Sequence, residues 1–99
     1  MKVNIQSVHF DADQKLIDFI EGKISKLIGQ YDKIIETDVT LRLDKATNNE
    51  NKIAEIRLHV PGNDLYAKRQ CKSFEEAIDQ SIDALKNQII KHKDKQKQI

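Results

Sequence analysis

Tryptophan is absent from this 99-residue sequence, and proline and cysteine each occur once. With only five aromatic residues, two Tyr and three Phe, the core must be built mostly from Ile, Leu and Val. The lone Cys71 can form no internal disulfide, so a reducing compartment is expected. No apolar run approaches the ~20 residues that span a membrane, and the first ten lack the charged-then-apolar order of a secretion signal. A cytoplasmic protein with no membrane partner is the resulting expectation. Gly22, Gly29 and Gly62 are scattered and make no phosphate-cradling loop. His9, His59 and His92 show no metal-ligand spacing with one another or with Cys71. Cys71 closes a strand before a helix start, where a helix dipole can activate a thiolate, but no histidine is placed to partner it. The acids lie on solvent-facing helix positions. The chain therefore reads as a non-enzyme, with no cofactor, metal or small-molecule substrate.

What is present is strong patterning. Val3, Ile5 and Ser7 alternate with polar neighbours over Lys2–His9, the period of a half-buried strand. Asp11, with Gln14 three residues on, reads as a helix cap. Leu16, Phe19, Ile20, Ile24, Leu27, Ile28 and Tyr31 then fall on one helical face. Two further alternating runs follow, Val39/Leu41/Leu43 and Ala54/Ile56/Leu58/Val60, joined by a polar loop over Lys45–Asn51. Pro61-Gly62-Asn63-Asp64 is a turn signal, because Pro presets one dihedral and Gly admits positive φ. A fourth strand runs from Leu65 to Cys71, where Arg69 shares the inward parity and requires either a peripheral position or a bulge. Ser73 and Glu76 form a capping box ahead of the stripe Phe74, Ile78, Ile82, Leu85, Ile89.

The order is β-α-β-β-β-α, an α+β class. One apolar face per element predicts a four-stranded sheet with both helices on the same side, in a single domain over 1–99. Arg42, Glu55, Arg57, His59, Tyr66 and Lys68 should occupy the open face. Tyr31 and Tyr66 are read as packing residues.

Formal net charge is +1, so the distribution of charge matters more than its sum. The first half of the last helix holds Glu75, Glu76, Asp79 and Asp83 with no base. Its second half holds Lys86, Lys91, Lys93, Lys95 and Lys97 against Asp94 alone. Acids first and bases last suit the helix macrodipole, but that effect fades within about one turn. Lys86 to Lys97 spans roughly three turns. Residues 86–99 thus form a basic helix end and tail, either gripping a polyanion or simply solvated. On the first helix Lys15, Lys23 and Lys26 share one flank and Asp13, Asp18 and Glu21 the other. Two helices on one sheet face would let the basic edges merge into one surface. The acidic edges, Asp13/Asp18/Glu21 and Glu75/Asp79/Asp83, offer an alternative as a protein-interaction module.

Several stretches resemble the bacterial ribosome hibernation-promoting factor and ribosome-associated inhibitor family, in its short form. They are Lys23-Ile24-Ser25-Lys26-Leu27 leading to Tyr31-Asp32-Lys33-Ile34, and Val39-Thr40-Leu41-Arg42-Leu43-Asp44-Lys45. The most specific is Ala77-Ile78-Asp79 through Ile82-Asp83 and Leu85 to Gln88, then Lys91-His92-Lys93-Asp94-Lys95. The resemblance implies a fold similar to a double-stranded RNA-binding domain. It also implies binding to 16S rRNA of the small ribosomal subunit in the messenger and transfer RNA channel. Translation would be inhibited there in stationary phase or stress. Carried over by position, the rRNA-binding residues are Lys23 and Lys26, then Lys91, Lys93 and Lys95. Lys86 is the nearest base to Ala84 and Asn87, where family members often carry one. Ser73-Phe74-Glu75-Glu76 replaces the family's usual Asp-Met-Tyr without loss of cap or packing. The extra domain of long-form members is not in the sequence, so pairing ribosomes should require a separate dimerising factor.

Overall fold

The computed structural model describes residues 2–8, 10–45 and 49–97; side chains are described for these except Lys2 and 92–97. The strands are β1 (Lys2–Val8), β2 (Glu36–Leu43), β3 (Lys52–Val60) and β4 (Asn63–Cys71). The helices are α1 (Gln14–Gln30) and α2 (Phe74–Lys97). The sheet order is β1-β2-β3-β4, with β1 parallel to β2 and the other pairs antiparallel. A parallel β1–β2 pair needs a crossover, which α1 supplies.

Register explains which residues are buried. Val3, Thr37, Leu58 and Leu65 form one row across the sheet, and Ile5, Val39, Ile56 and Ala67 the next. These rows meet Ile20, Ile24 and Leu27 of α1 and Ile78, Leu85 and Ile89 of α2 in one core. Both helices therefore lie on the same face, as the patterning predicts. Fully burying an Ile or Leu contributes ~1.5–3 kcal/mol, so this shared core outweighs any single surface pair. The third row, Ser7, Leu41, Ala54 and Arg69, resolves the parity of Arg69. β4 is an edge strand paired without a bulge, and Arg69 stands exposed at its margin.

Some local boundaries differ from the sequence reading. The α1 cap is Asp13, not Asp11: its Oδ1 accepts from Leu16 N–H at 2.8 Å. Phe10 stacks on Phe74 at 5.0 Å and Ala12 packs on the core, which holds this segment extended past Asp11. β2 begins at Glu36 rather than Val39, adding the fully buried Thr37. Leu43 is 46% exposed instead of inward. Ile53, on the opposite parity to the β3 core residues, is nevertheless buried; its β4 partner Gln70 reaches Asp44 Oδ2 at 3.0 Å and Glu50 O at 2.6 Å. The β3–β4 turn is only Pro61-Gly62, since Val60 pairs with Asn63. Gly62 has φ +87°, the second central position of a type II turn. Ser73 caps α2 as expected, its Oγ accepting from Glu76 N–H at 3.1 Å.

Candidate nucleic-acid interface

The two helices run side by side in the same direction. Lys23 faces Asp79, and seven residues further along each helix Gln30 and Lys86 line the same groove. Leu27 and Ile82 form its apolar floor, while Lys26 and Asp83 flank it. Helical spacing accounts for this: positions 23, 26, 27 and 30 share a flank of α1, as do 79, 82, 83 and 86 of α2.

The groove brings Lys23, Lys26 and Lys86 together, but not as a surface of one sign. The basic edge of α1 lies against the acidic half of α2, and Lys23 Nζ pairs with Asp79 Oδ1 at 3.1 Å. The expected merger of basic edges is therefore only partial. Parallel helices place α1's lysines beside the early, acidic residues of α2. Lys23 also stands 5.4 Å from the Phe19 ring centroid. Lys26, Lys86 and Lys91 are exposed and make no ion pair with a described residue. The same juxtaposition blunts the acidic edge proposed for a protein partner, because Asp79 is engaged.

Lys91 belongs to another flank of α2. It follows Gln88 by three residues, and Gln88 is fastened to the β4 edge. There its amide donates to Tyr66 O at 2.8 Å and accepts from Tyr66 N–H at 3.3 Å. Bases thus emerge on two sides of α2, at the end where both helices finish. Helix α2 continues to Lys97, well past the end of α1 at Gln30. The side chains of His92, Lys93 and Lys95 lie outside the described residues, as does His9. At the departure positions, Ala84 packs against the core and Asn87 is exposed.

The open sheet face is organised differently. Arg42 pairs with Glu55 at 3.3 Å, and Arg57 with Asp64 at 3.4 Å. Tyr66 is 42% exposed, with Arg57 5.3 Å from its ring centroid, so it is a surface residue; Tyr31 is the buried one. His59 lies between Asp38 and Asp64. The hydrogen bond to Asp38 raises the His59 pKa above its ordinary value, against a smaller opposing effect of burial. Bonds from Asn4 and His59 hold Asp38 below the usual carboxylate range. The sequence reading placed His59 on this face but missed its partners. A β2 start at Glu36 and a two-residue β3–β4 turn would have revealed them.

Cys71 is buried, and burial, with Glu76 and Glu50 nearby, pushes its thiol up. It is a packing residue. Among the described residues no group of His, Cys, Asp and Glu could hold a metal ion. No helix among them is long and apolar enough to cross a membrane.

Comparison with known proteins gives this geometry a context. A family described as Sigma 54 modulation protein / S30EA ribosomal protein matches residues 3–97. The ribosome hibernation promoting factor of Klebsiella oxytoca is 36% identical over 98 residues, covering 99% of each chain. That of Escherichia coli K12 is 34% identical over 98 residues, again covering 99% of each. The Azotobacter vinelandii protein of the same name is 38% identical over 96 residues, covering 97% of this chain and 86% of its own. The fold matches a ribosomal subunit interface protein from Coxiella burnetii with TM-score 0.83 and 19% identity, covering 94% of this chain and 98% of that one. It also matches the N-terminal domain of Thermus thermophilus Protein Y with TM-score 0.75 and 22% identity, covering 90% and 96%. By the family match over residues 3–97 and by relatives above 30% identity along nearly its whole length, this chain belongs to the Sigma 54 modulation protein / S30EA ribosomal protein family.

Proposed function

We propose that this chain is a ribosome hibernation factor. It binds 16S rRNA of the small ribosomal subunit in the messenger and transfer RNA channel, and inhibits translation in stationary phase or stress by occupying that channel. The names of its relatives support the hibernation role. The observation that carries the RNA reading is the pair Lys26 and Lys86, two exposed bases across one groove with no described acid in ion-pair range. Lys91 continues the bases along α2, and Lys93 and Lys95 extend the series by sequence.

Lysines are point charges on flexible stems, suited to phosphate rather than to base edges. Such contacts set affinity and salt dependence, while shape and the 2′-hydroxyls of RNA position the protein. Lys23 reaches RNA by exchanging Asp79 for a phosphate, an exposed exchange worth little either way. Asn87 leaves the outer flank of α2 short of one charge, and Lys86 supplies a base on the groove side instead.

Co-sedimentation with purified small subunits through a sucrose gradient tests the reading. The wild type should travel with the subunit, and a Lys91→Ala/Lys93→Ala/Lys95→Ala variant should largely stay at the top at physiological salt. Equal co-sedimentation of the two would remove the basic helix end from the mechanism. A partner held through the acidic edges would likewise be retained by that variant.

A further inference from the structure

His59 stands between carboxylates from two neighbouring strands on the face that no helix covers. Its Nε2 is 2.7 Å from Asp38 Oδ2 on β2, and its Nδ1 is 3.3 Å from Asp64 Oδ1 on β4. A neutral imidazole has one N–H and one lone pair. Either neutral tautomer would therefore aim a lone pair at a carboxylate oxygen. Only the imidazolium donates at both nitrogens.

The surroundings are arranged for that cation. Asp64 is the direct cross-strand partner of His59 on β4; on β2 the direct partner is Glu36, with Asp38 on the diagonal. Asn4 of β1 donates to Glu36 Oε2 at 2.7 Å and to Asp38 Oδ1 at 2.8 Å, leaving Asp38 Oδ2 for the ring. Arg57 is the base close by on β3, and it is turned to Asp64 Oδ2 at 3.4 Å. Two carboxylates, Asp38 and Asp64, thus face the ring, with Glu36 opposite in register and bonded to Asn4, against one guanidinium that is itself engaged.

We propose that Asp38, His59 and Asp64 form a proton-operated clip that fastens β2, β3 and β4 together on the open face of the sheet. It sits beside the Pro61-Gly62 turn, two residues before Tyr66, whose backbone holds Gln88 of α2. The clip is therefore at the end of the sheet that carries the basic half of α2. Its pH window follows from the shifts of its members. The His59 pKa is raised on folding, so that contribution is complete below the ordinary histidine value of about 6.5 and is lost as pH rises through the folded value. The Asp38 pKa is lowered, so its contribution is complete above about 3.9 and is lost as pH falls through the folded value. The clip is fully closed between those limits and opens on the alkaline side.

Nitrogen-15 and proton NMR of the His59 ring in the full chain tests this. At about pH 6, where an ordinary imidazole is still largely protonated, both ring nitrogens should carry slowly exchanging protons. The titration midpoint should lie above the ordinary histidine value of about 6.5. Asp38→Asn should lower it most, because that bond is the shorter, and Asp64→Asn should lower it less. Stability to denaturant should fall as pH rises above about 6.5 in the wild type and hold level in His59→Gln. A midpoint unmoved by both Asn variants would overturn the clip, as would a ring carrying one proton at about pH 6. Asp64→Asn changes an exposed partner and keeps the test decisive if Asp38→Asn fails to fold.

Discussion

Arg42 and Arg57 on the open sheet face each lie within 3.4 Å of a carboxylate, whereas Lys26 and Lys86 on the helix face have no described acid at ion-pair distance. Both faces are rich in charge, but the sheet face engages both of its arginines and keeps Lys68 exposed outside any described ion pair, whereas the helix face keeps Lys26, Lys86 and Lys91 available. Strand geometry explains the contrast. Alternate residues of adjacent strands stand side by side, so an Arg opposite or diagonal to an acid is readily paired. Parallel helices join only at facing flanks, and beyond Asp83 the groove flank of α2 turns basic at Lys86. A charged patch is thus defined by what its neighbours leave unpaired, and not by how many bases it holds.

The largest expected effect comes from removing the platform under the helix face. Ile24 is fully buried beneath α1, and Ile24→Ala should cost ~2–5 kcal/mol in chemical denaturation. Charge reversal on the two faces then separates them. Lys26→Glu with Lys86→Glu should weaken binding to small subunits by tenfold or more at moderate salt, as expected when phosphate contacts are lost and reversed. Arg42→Ala with Arg57→Ala should leave the same affinity within about twofold, since those side chains already serve acids of their own sheet. A smaller effect falls on the scaffold: Ser73→Ala removes the α2 cap and should lower stability by ~1 kcal/mol in the same denaturation assay. Smallest is Asp79→Asn, which frees Lys23. An exposed pair contributes ~0–1 kcal/mol, so folding should hardly change while affinity for small subunits rises. A fall in affinity would mean that Asp79 positions Lys23 rather than competing for it.

Much of this was legible in residue order. Alternation in β3 and the heptad-like stripe of α1 fixed their inward faces, and the Ser73 cap and the Pro61-Gly62 turn marked the start of α2 and the end of β3. Thr37 was missed because a polar residue at the start of β2 interrupts the apolar alternation that marks a strand. Asp13 displaced Asp11 because the Phe10–Phe74 stack, a tertiary contact, decides where the chain can begin to coil. The candidate interface was half legible. Spacing identified Lys23 and Lys26 as flank residues and placed Lys86 only in the basic half of the last helix, and the direction of α1 relative to α2 decides that Lys23 meets Asp79. The Asp38–His59–Asp64 cluster needed register across three strands, information that no single segment contains.

The most direct test of the two-face account is the salt dependence of binding to purified small ribosomal subunits. The wild type, Lys26→Ala/Lys86→Ala/Lys91→Ala and Arg42→Ala/Arg57→Ala would be measured side by side. The helix-face variant should lose ~0.7–0.9 from the log–log slope for each lysine that contacts a phosphate, and the sheet-face variant should keep the wild-type slope. A reduced slope for the sheet-face variant, with the helix-face variant unchanged, would contradict the account.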